Sequence, residues 1–190
     1  MNARAFSVLA VVVALALAGC YRGSAHTVSP GDVSREQGWQ LAHGVPLIRQ
    51  SSEHACGAAA LAMVFQRWGI PSGESEILTA SVSQDHQIAQ PIAAGTLRDL
   101  ARQKGLHAFL IPGELADLVR EVGLDRPVLV GLVQRYTSRS YSHYEVVVGI
   151  NQLTRRVLML DPGRGMREDA FDSFATEWEG AGRLTLVVGP

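Results

Sequence analysis

The chain has 190 residues, of which 47% are hydrophobic, and its formal net charge at pH 7 is −1. This length is sufficient for one globular domain with a hydrophobic core of its own. The nearly balanced charge provides no basic surface for nucleic acid, so we set nucleic-acid-binding proteins aside.

The first twenty residues have the pattern of a targeting segment rather than of a folded element. Arg4 precedes an apolar run over residues 8–17, and the sequence Leu-Ala-Gly-Cys then ends at Cys20. The run is too short to span a membrane comfortably. Leu-Ala-Gly-Cys resembles the lipobox of bacterial lipoproteins, which implies cleavage before Cys20 and lipidation of its thiol. An ordinary secretory signal peptide is the alternative.

These features predict three parts: a lipoprotein signal peptide over residues 1–19, a lipidated tether over 20–40, and a folded domain over 41–190. The tether is expected because its sequence is polar, rich in glycine and serine, and without periodicity. Lipid on Cys20 would hold the protein in the bacterial cell envelope, facing the periplasm. Tyr21, where an aspartate could stand, slightly favours the outer membrane.

The cysteine count singles out one thiol. The chain has two cysteines, so lipidation of Cys20 would leave Cys56 without a disulfide partner. An unpaired cysteine in an oxidising compartment is a candidate reactive thiol. It is otherwise a small buried apolar residue or one half of an intermolecular disulfide.

The pattern around Cys56 predicts a buried helix that begins at this residue. Residues 41–48 read as an extended segment and residues 50–56 as a polar loop. Helix formers then continue to Trp68, and Gly69 with Pro71 ends the helix. A thiol in the first turn faces unpaired backbone N–H groups and the positive end of the helix dipole, which favour the thiolate.

The rest of the chain reads as further helices followed by strands. A short helix is expected over residues 74–80, a loop over 81–94, and a helix capped by Thr96 that ends at Lys104. A strand over 106–111 and a helix over 114–122 follow. Strands are then expected over 128–133, 143–150 and 157–160, with a polar loop over 134–142, and finally a helix over 171–178 and a strand over 184–188. This order predicts an α+β fold.

Four polar residues converge if the Cys56 helix packs on this sheet. An antiparallel hairpin of strands 143–150 and 157–160 would bring His143 and Asp161 to the same edge, close enough to hydrogen-bond. A base near the thiol, itself held by a third group, is what a cysteine nucleophile needs. Gln50, six residues before Cys56, could donate its side-chain N–H to an oxyanion together with the Cys56 backbone N–H.

The same residues carry a resemblance to a known family. Gln50 followed by the stretch CGAAALAM at 56–63, HYEVV at 143–147 and LDP at 160–162 resemble the motifs of bacteriocin-processing, double-glycine-leader cysteine peptidases. The resemblance implies a papain-like fold. It also makes Cys56 the nucleophile, His143 the base, Asp161 its orienting partner and Gln50 the oxyanion donor.

Two departures from that family limit what the resemblance implies. Ala55 stands where an acidic residue is common, and the sequence contains no phosphate-binding loop of an exporter. A free-standing C39-like lipoprotein is therefore expected, and the leader-peptide substrate does not carry over. The expected partners are a peptide or protein substrate and, through Cys20, the membrane. No cofactor, metal or nucleic acid is expected.

The sequence leaves several alternatives open. His54 is a rival base without an evident orienting partner, and Glu145 lies either beside the site or in solvent. Cys56, His54 and His143 could bind a metal, although their spacing matches no recognised zinc pattern. A cell-wall peptide hydrolase of NlpC type would more often use a second histidine as the orienting group. A non-catalytic C39-like domain would bind a peptide or protein without a reactive thiol.

Overall fold

A computed structural model describes residues 25–85, 91–135 and 140–190 of the chain. The predicted signal peptide and Cys20 lie outside these described residues. The helices are α1 Cys56–Arg67, α2 Glu74–Asp85, α3 Ala94–Gln103, α4 Leu115–Gly123 and α5 Phe171–Gly180. The strands are β1 His26–Thr27, β2 Trp39–Leu41, β3 His107–Pro112, β4 Val128–Arg135, β5 Ser140–Asn151, β6 Arg156–Asp161, β7 Gly165–Ala170 and β8 Leu184–Gly189.

The strands form one sheet in which every described pair is antiparallel. The order across the sheet is β1-β7-β6-β5-β4-β8-β3, and β2 pairs with the end of β5. Because side chains alternate along a strand, the sheet presents two apolar faces. The prediction of an α+β fold with the Cys56 helix packed on an antiparallel sheet is confirmed.

Each face of the sheet is covered by different helices. On one face, Leu61 and Phe65 of α1 belong to the same buried cluster as Val146 of β5 and Leu158 and Leu160 of β6. The second cluster joins α4 and α5 to the opposite face and includes Leu118, Phe174, Trp178, Val147 and Met159. The central strands are therefore apolar on both faces, which is why residues 128–133 and 146–150 are uninterrupted apolar runs.

Helix α1 lies close to β5 because its first turns carry small side chains. A Cβ atom added at Gly57 would lie 3.1 Å from Cδ2 of Tyr144, which is tighter than ordinary van der Waals contact. The Tyr144 hydroxyl donates a hydrogen bond to the Ile92 carbonyl at 3.1 Å, which fixes the ring in that place. Glycine at position 57 thus allows the start of the helix to approach the strand that carries His143.

The predicted helices exist, but two of their boundaries are wrong. Helix α2 continues to Asp85, so the loop expected from residue 81 begins later, and residues 86–90 of that loop lie outside the described part of the chain. Helix α3 begins at Ala94 with Ala93 as its N-cap, not at Thr96. Thr96 is instead buried inside the helix. Packing of this face outweighs the capping preference of threonine.

The predicted loop over residues 134–142 is also wrong at both ends. Strand β4 extends to Arg135, and β5 begins at Ser140, directly opposite it. His143 is therefore the fourth residue of a long strand rather than its first. The polar residues at these ends are compatible with a strand because backbone pairing between β4 and β5 holds this part of the hairpin.

Strands β1, β2 and β7 are not predicted by the sequence pattern. Strand β7 has the sequence GMREDA, in which charged residues occupy the inward positions. Residues 26–27 pair with β7 and residues 39–41 pair with β5, while Trp39 is buried. The described part of the expected tether therefore belongs to the folded unit, which begins earlier than residue 41.

None of the helices within residues 25–85, 91–135 and 140–190 combines the length and the apolar character needed to cross a bilayer.

Candidate active site

Cys56 is the first residue of α1 and is 1% exposed. The residue before it, Ala55, has no side chain that could cap the helix, and no side-chain hydrogen bond caps this end. The first N–H groups of a helix have no partner within the helix. Together with the helix dipole, they provide a positive potential at the sulfur atom of Cys56.

His143 and Asp161 are joined by a hydrogen bond, as the hairpin pattern predicted. Nε2 of His143 lies 2.8 Å from Oδ1 of Asp161. The β5–β6 register places Val146 opposite Leu160, so Asp161 continues toward His143 beyond the last ladder pair. Since Nε2 is engaged by Asp161, Nδ1 is the ring nitrogen that remains for the Cys56 thiol.

The environment strongly favours the protonated ring of His143. Burial by itself lowers the pKa of His143, but hydrogen bonds with Asp161 and Cys56 and the negative charges of Glu145 and Asp161 outweigh it and raise the pKa from 6.5 to about 10. This stabilises the folded state fully below pH 6.5, and the stabilisation is lost as the pH rises toward 10. The imidazolium is thus the stable partner for a thiolate at neutral pH.

Asp161 is held as a carboxylate although its side chain has no exposed surface. Burial alone raises the pKa of this carboxyl. The hydrogen bond and charge of His143, the backbone N–H of Gly163 and the charge of Arg167 overcome that effect and lower the pKa to about 2. Oδ1 also accepts from the backbone N–H groups of Gly163 at 2.7 Å and Arg164 at 3.1 Å. The LDP turn therefore fixes both the charge and the orientation of Asp161.

Gln50 lies in the loop that leads to α1 and contacts the same turn. Its backbone N–H donates to the Pro162 carbonyl at 3.1 Å, and its side-chain Nε2 donates to the Ser52 carbonyl at 2.8 Å. A carboxamide nitrogen carries two N–H groups, so a second one remains for another acceptor. The structure thus anchors Gln50 between the LDP turn and the Cys56 loop.

The structure also locates the two alternatives raised by the sequence. His54 is exposed, and no hydrogen bond or ion pair of its side chain is seen among residues 25–85, 91–135 and 140–190. Glu145 is completely buried beside the site rather than in solvent. The side chain hydrogen-bonded to His143 is an aspartate and not a second histidine, which weighs against a cell-wall hydrolase of NlpC type.

The metal cluster considered from sequence is not the one that the fold assembles. The described residues bring together ligand atoms of His143, Glu145 and Asp161 within 4.8 Å of one another. The guanidinium of Arg167 already lies 3.2 Å from Asp161 Oδ2, and a second cation beside it would be repelled. The chemistry of this donor set therefore does not suit a metal ion.

Arg167 is the residue at this site that sequence reasoning missed. It projects from β7, a strand that lacks the apolar alternation by which strands are usually recognised. The spacing of Gly165, Arg167 and Asp169 at every second position is compatible with one face of a strand. A strand is normally recognised by apolar residues on its inward face, however, and here two of the three inward residues are charged.

The antiparallel sheet, the helix that begins at a cysteine, and the histidine–aspartate pair on the neighbouring central strands β5 and β6 together define a papain-like cysteine peptidase fold. The chain belongs to the Peptidase_C39 like family, whose model matches residues 42–186. A search of curated proteins found no match.

Solved structures support the same fold. A putative C39-like peptidase from Bacillus anthracis is 18% identical, with a TM-score of 0.61 over 79% of this chain and 96% of that one. The peptidase domain of Streptococcus ComA, a bifunctional ABC transporter of a quorum-sensing pathway, is 21% identical, with a TM-score of 0.62 over 77% of this chain and 99% of that one. A double glycine motif protease from an AMS/PCAT transporter, solved with its leader peptide, is 20% identical, with a TM-score of 0.60 over 79% of this chain and 94% of that one.

Proposed function

We propose that this protein is an envelope-anchored cysteine peptidase that hydrolyses a peptide bond through an acyl-enzyme. Cys56 is the nucleophile, His143 the general base and acid, Asp161 the orienting group and Gln50 the oxyanion donor. The observation that carries the proposal is the 2.8 Å hydrogen bond by which Asp161 holds Nε2 of His143, together with the buried thiol of Cys56 at the start of α1, which is among the groups that raise the pKa of His143.

His143 can carry each proton that acyl transfer requires at this site. His143 takes the proton of the Cys56 thiol, and the thiolate forms a bond with the carbonyl carbon of the substrate. The resulting oxyanion accepts hydrogen bonds from the Cys56 backbone N–H and the second N–H of Gln50. Collapse of this intermediate breaks the C–N bond, and His143 gives its proton to the leaving amine. His143 then accepts a proton from water, whose oxygen bonds to the acyl carbon. The C–S bond breaks to release the acid product, and the thiolate of Cys56 is left beside the imidazolium, from which it can regain its proton.

The substrate class follows from the family rather than from this chain alone. A structurally similar double glycine motif protease was solved in complex with a leader peptide. That complex supports a peptide segment as the substrate here, while the cleavage sequence is left to experiment. Because Cys56 is 1% exposed, binding of the scissile carbonyl requires the atoms that cover the thiol at the start of α1 to move.

The proposal is tested by the peptide termini that the protein generates. Envelope proteins from cells with and without the full chain would be compared for new amino termini, and candidate peptides would then be incubated with purified protein. We expect a small set of new termini that share residues next to the cut. Peptides that bind without being cut would instead favour the non-catalytic binding domain.

Replacement of Gln50 by alanine is expected to reduce cleavage by about 100- to 1,000-fold, the usual effect of losing one oxyanion donor. Alkylation of Cys56 should keep its wild-type rate, because the hydrogen bonds of Gln50 among the described residues go to the carbonyls of Pro162 and Ser52 and not to Cys56 or His143. Gln152→Ala, in an exposed turn, is the matched control. Equal losses of cleavage and of alkylation in Gln50→Ala would show that the variant disturbs the site rather than removing a donor.

Anchoring is proposed from the Leu-Ala-Gly-Cys sequence that ends at Cys20. Substitution of Cys20 by alanine is expected to move the protein from the membrane fraction to the soluble fraction, since it removes the only thiol that the lipobox pattern offers for lipidation. Fractionation with immunoblotting measures this, with Cys56→Ala as the control that should stay on membranes. Membrane association that persists in Cys20→Ala would contradict the lipid anchor.

A further inference from the structure

Two buried charged residues, Arg167 and Glu145, lie next to the His143–Asp161 pair, and the proposed acyl transfer does not use them. Arg167 is 3% exposed, and its Nη1 lies 3.2 Å from Oδ2 of Asp161 and 3.5 Å from Oε1 of Glu145. Its Nη2 donates to the carbonyl of Ala25 in the segment before β1. The guanidinium is thus fixed at both ends between two carboxylates and the backbone.

The strand register explains why these groups meet. Arg167 stands opposite Met159, and Gly165 stands opposite Asp161, so Arg167 and Asp161 project from the same face of neighbouring strands. His143 and Glu145 lie two residues apart on β5 and share one face of that strand. Glu145 therefore approaches Asp161 from one side of Arg167, and the fully buried site holds two carboxylates beside one arginine.

Charged and polar groups face Glu145 from every strand around it and from one helix. They are His143 on β5 itself, Asp161 on β6, Arg167 on β7, Gln134 on β4 and Glu177 on α5. The Gln134 Nε2 donates to Oε1 at 3.4 Å, whereas the buried Oε2 has no hydrogen-bond partner among the residues that the structure describes.

A role in folding alone does not account for this arrangement. Buried ion pairs can often be replaced by apolar side chains of similar volume without loss of stability. A buried carboxylate oxygen without a partner is unfavourable, and native proteins retain few such groups. The position of both residues against Asp161 points instead to the chemistry of the adjoining site.

We propose that Arg167 and Glu145 are positioning residues for the peptidase reaction, an inference that rests on the proposed function. Arg167 keeps Asp161 ionised and directed at His143. Glu145, whose carboxylate lies within 4.8 Å of the His143 ring nitrogen, contributes a second negative charge that stabilises the imidazolium.

The direction of the Glu145 titration supports this role. Burial is the main cause that raises the pKa of Glu145, the charge of Asp161 adds to it, and the whole environment brings it to about 7. As the pH rises through that value, Glu145 becomes anionic and its attraction for the imidazolium grows. The protonated form of His143 is thus reinforced in the range where a thiolate–imidazolium pair operates.

The claim that Glu145 stabilises the protonated ring of His143 is tested by the titration of His143. We would follow the ¹³C-labelled imidazole by NMR in the full chain carrying Cys56→Ala, and assign its signal by its loss in His143→Ala. Glu145→Gln should lower the pH of the His143 transition by about one pH unit, the usual effect of losing a nearby opposite charge. Glu121→Gln, a buried glutamate of α4 that pairs with Arg120 and Arg126, is the matched control and should leave the transition unchanged. An unchanged transition in Glu145→Gln would overturn this part.

The Arg167 part is tested by a split between kcat and KM on a peptide that the wild type cleaves. Arg167→Gln should lower kcat by about tenfold or more with little change in KM, and should move the protonation of Asp161, followed by its ¹³C carboxyl signal, to higher pH. Arg167→Lys keeps the charge and should recover most of kcat. Equal kcat in the three proteins would overturn the assignment.

Two further outcomes are separable. If Arg167→Gln fails to fold because it leaves two buried carboxylates without a cation, the double variant Glu145→Gln with Arg167→Gln removes one of those charges, and its kcat should still fall. A kcat equal to that of the wild type in the folded double variant would count against the proposal. If the wild type cleaves no peptide, the proposed function has failed. The NMR titration of His143 needs no substrate, so it still decides whether Glu145 stabilises the imidazolium.

Discussion

Replacement of Cys56 by serine is expected to reduce peptide cleavage by more than about 1,000-fold, because loss of the nucleophile of a catalytic triad removes nearly all of its rate enhancement. A serine hydroxyl at this position is not ionised by the His143 pair to any useful extent, since its pKa lies far above that of a thiol. The measurement is the initial rate on a peptide identified by its new terminus.

The fold should survive this change. Serine differs from cysteine by one atom, and Cys56 makes no disulfide in the structure. Circular dichroism and the thermal transition of Cys56→Ser should therefore match those of the wild type. A Cys56→Ser protein that cleaves at the wild-type rate would exclude Cys56 as the nucleophile, and loss of cleavage together with loss of fold would require the Cys56→Ala variant instead.

The second large effect is expected on thiol reactivity when His143 is replaced by alanine. With the imidazolium present, Cys56 should be alkylated by iodoacetamide well below pH 7. Without it, no adjacent cation stabilises the thiolate, which is the form that reacts. A free cysteine with a pKa of about 8.5 is only about 0.3% ionised at pH 6. The alkylation rate at pH 6 should therefore fall by about 100-fold or more, measured by mass spectrometry on the peptide that contains Cys56.

His54→Ala is the matched control for this experiment. His54 is exposed and lies only two residues from Cys56, so a local histidine effect would appear in that variant. We expect His54→Ala to alkylate like the wild type. If Cys56 is alkylated rapidly in His143→Ala but not in His54→Ala, His54 is the base. If alkylation stays rapid in both variants, the helix dipole is the cause of the thiol's reactivity.

The sign of the pH dependence follows from the same pair. Because the pKa of His143 is raised to about 10 and that of Asp161 is lowered to about 2, both charges of this pair are present throughout the neutral range. Acid therefore affects the pair only as the pH falls toward 2, and alkali only as it rises toward 10. Between these limits, the buried carboxyl of Glu145 beside the site loses its proton near pH 7.

The helices, the strands other than β1, β2 and β7, and the His143–Asp161 contact were predictable from the sequence, although several boundaries were not. The alanine-rich run after Cys56 is helical because its residues favour helices, and Gly69 with Pro71 ends it. The hairpin of β5 and β6 was readable because two apolar runs flank a turn at Asn151. An antiparallel hairpin necessarily brings the start of one strand near the end of the next, so this hydrogen bond required no knowledge of the remaining chain.

The groups that surround this contact depend on strand pairing between segments distant in sequence. Strand β7 carries charges at its inward positions, and whether Arg167 faces solvent or a buried carboxylate depends on pairing with β6, which its local pattern does not encode. The burial of Glu145 likewise depends on α5 covering this face of the sheet. Residues 26–27 became a strand because the edge of β7 offered unpaired backbone groups. Local sequence specifies elements through short-range sterics and hydrogen bonds, whereas the position of a charge within the fold is set by groups distant in sequence.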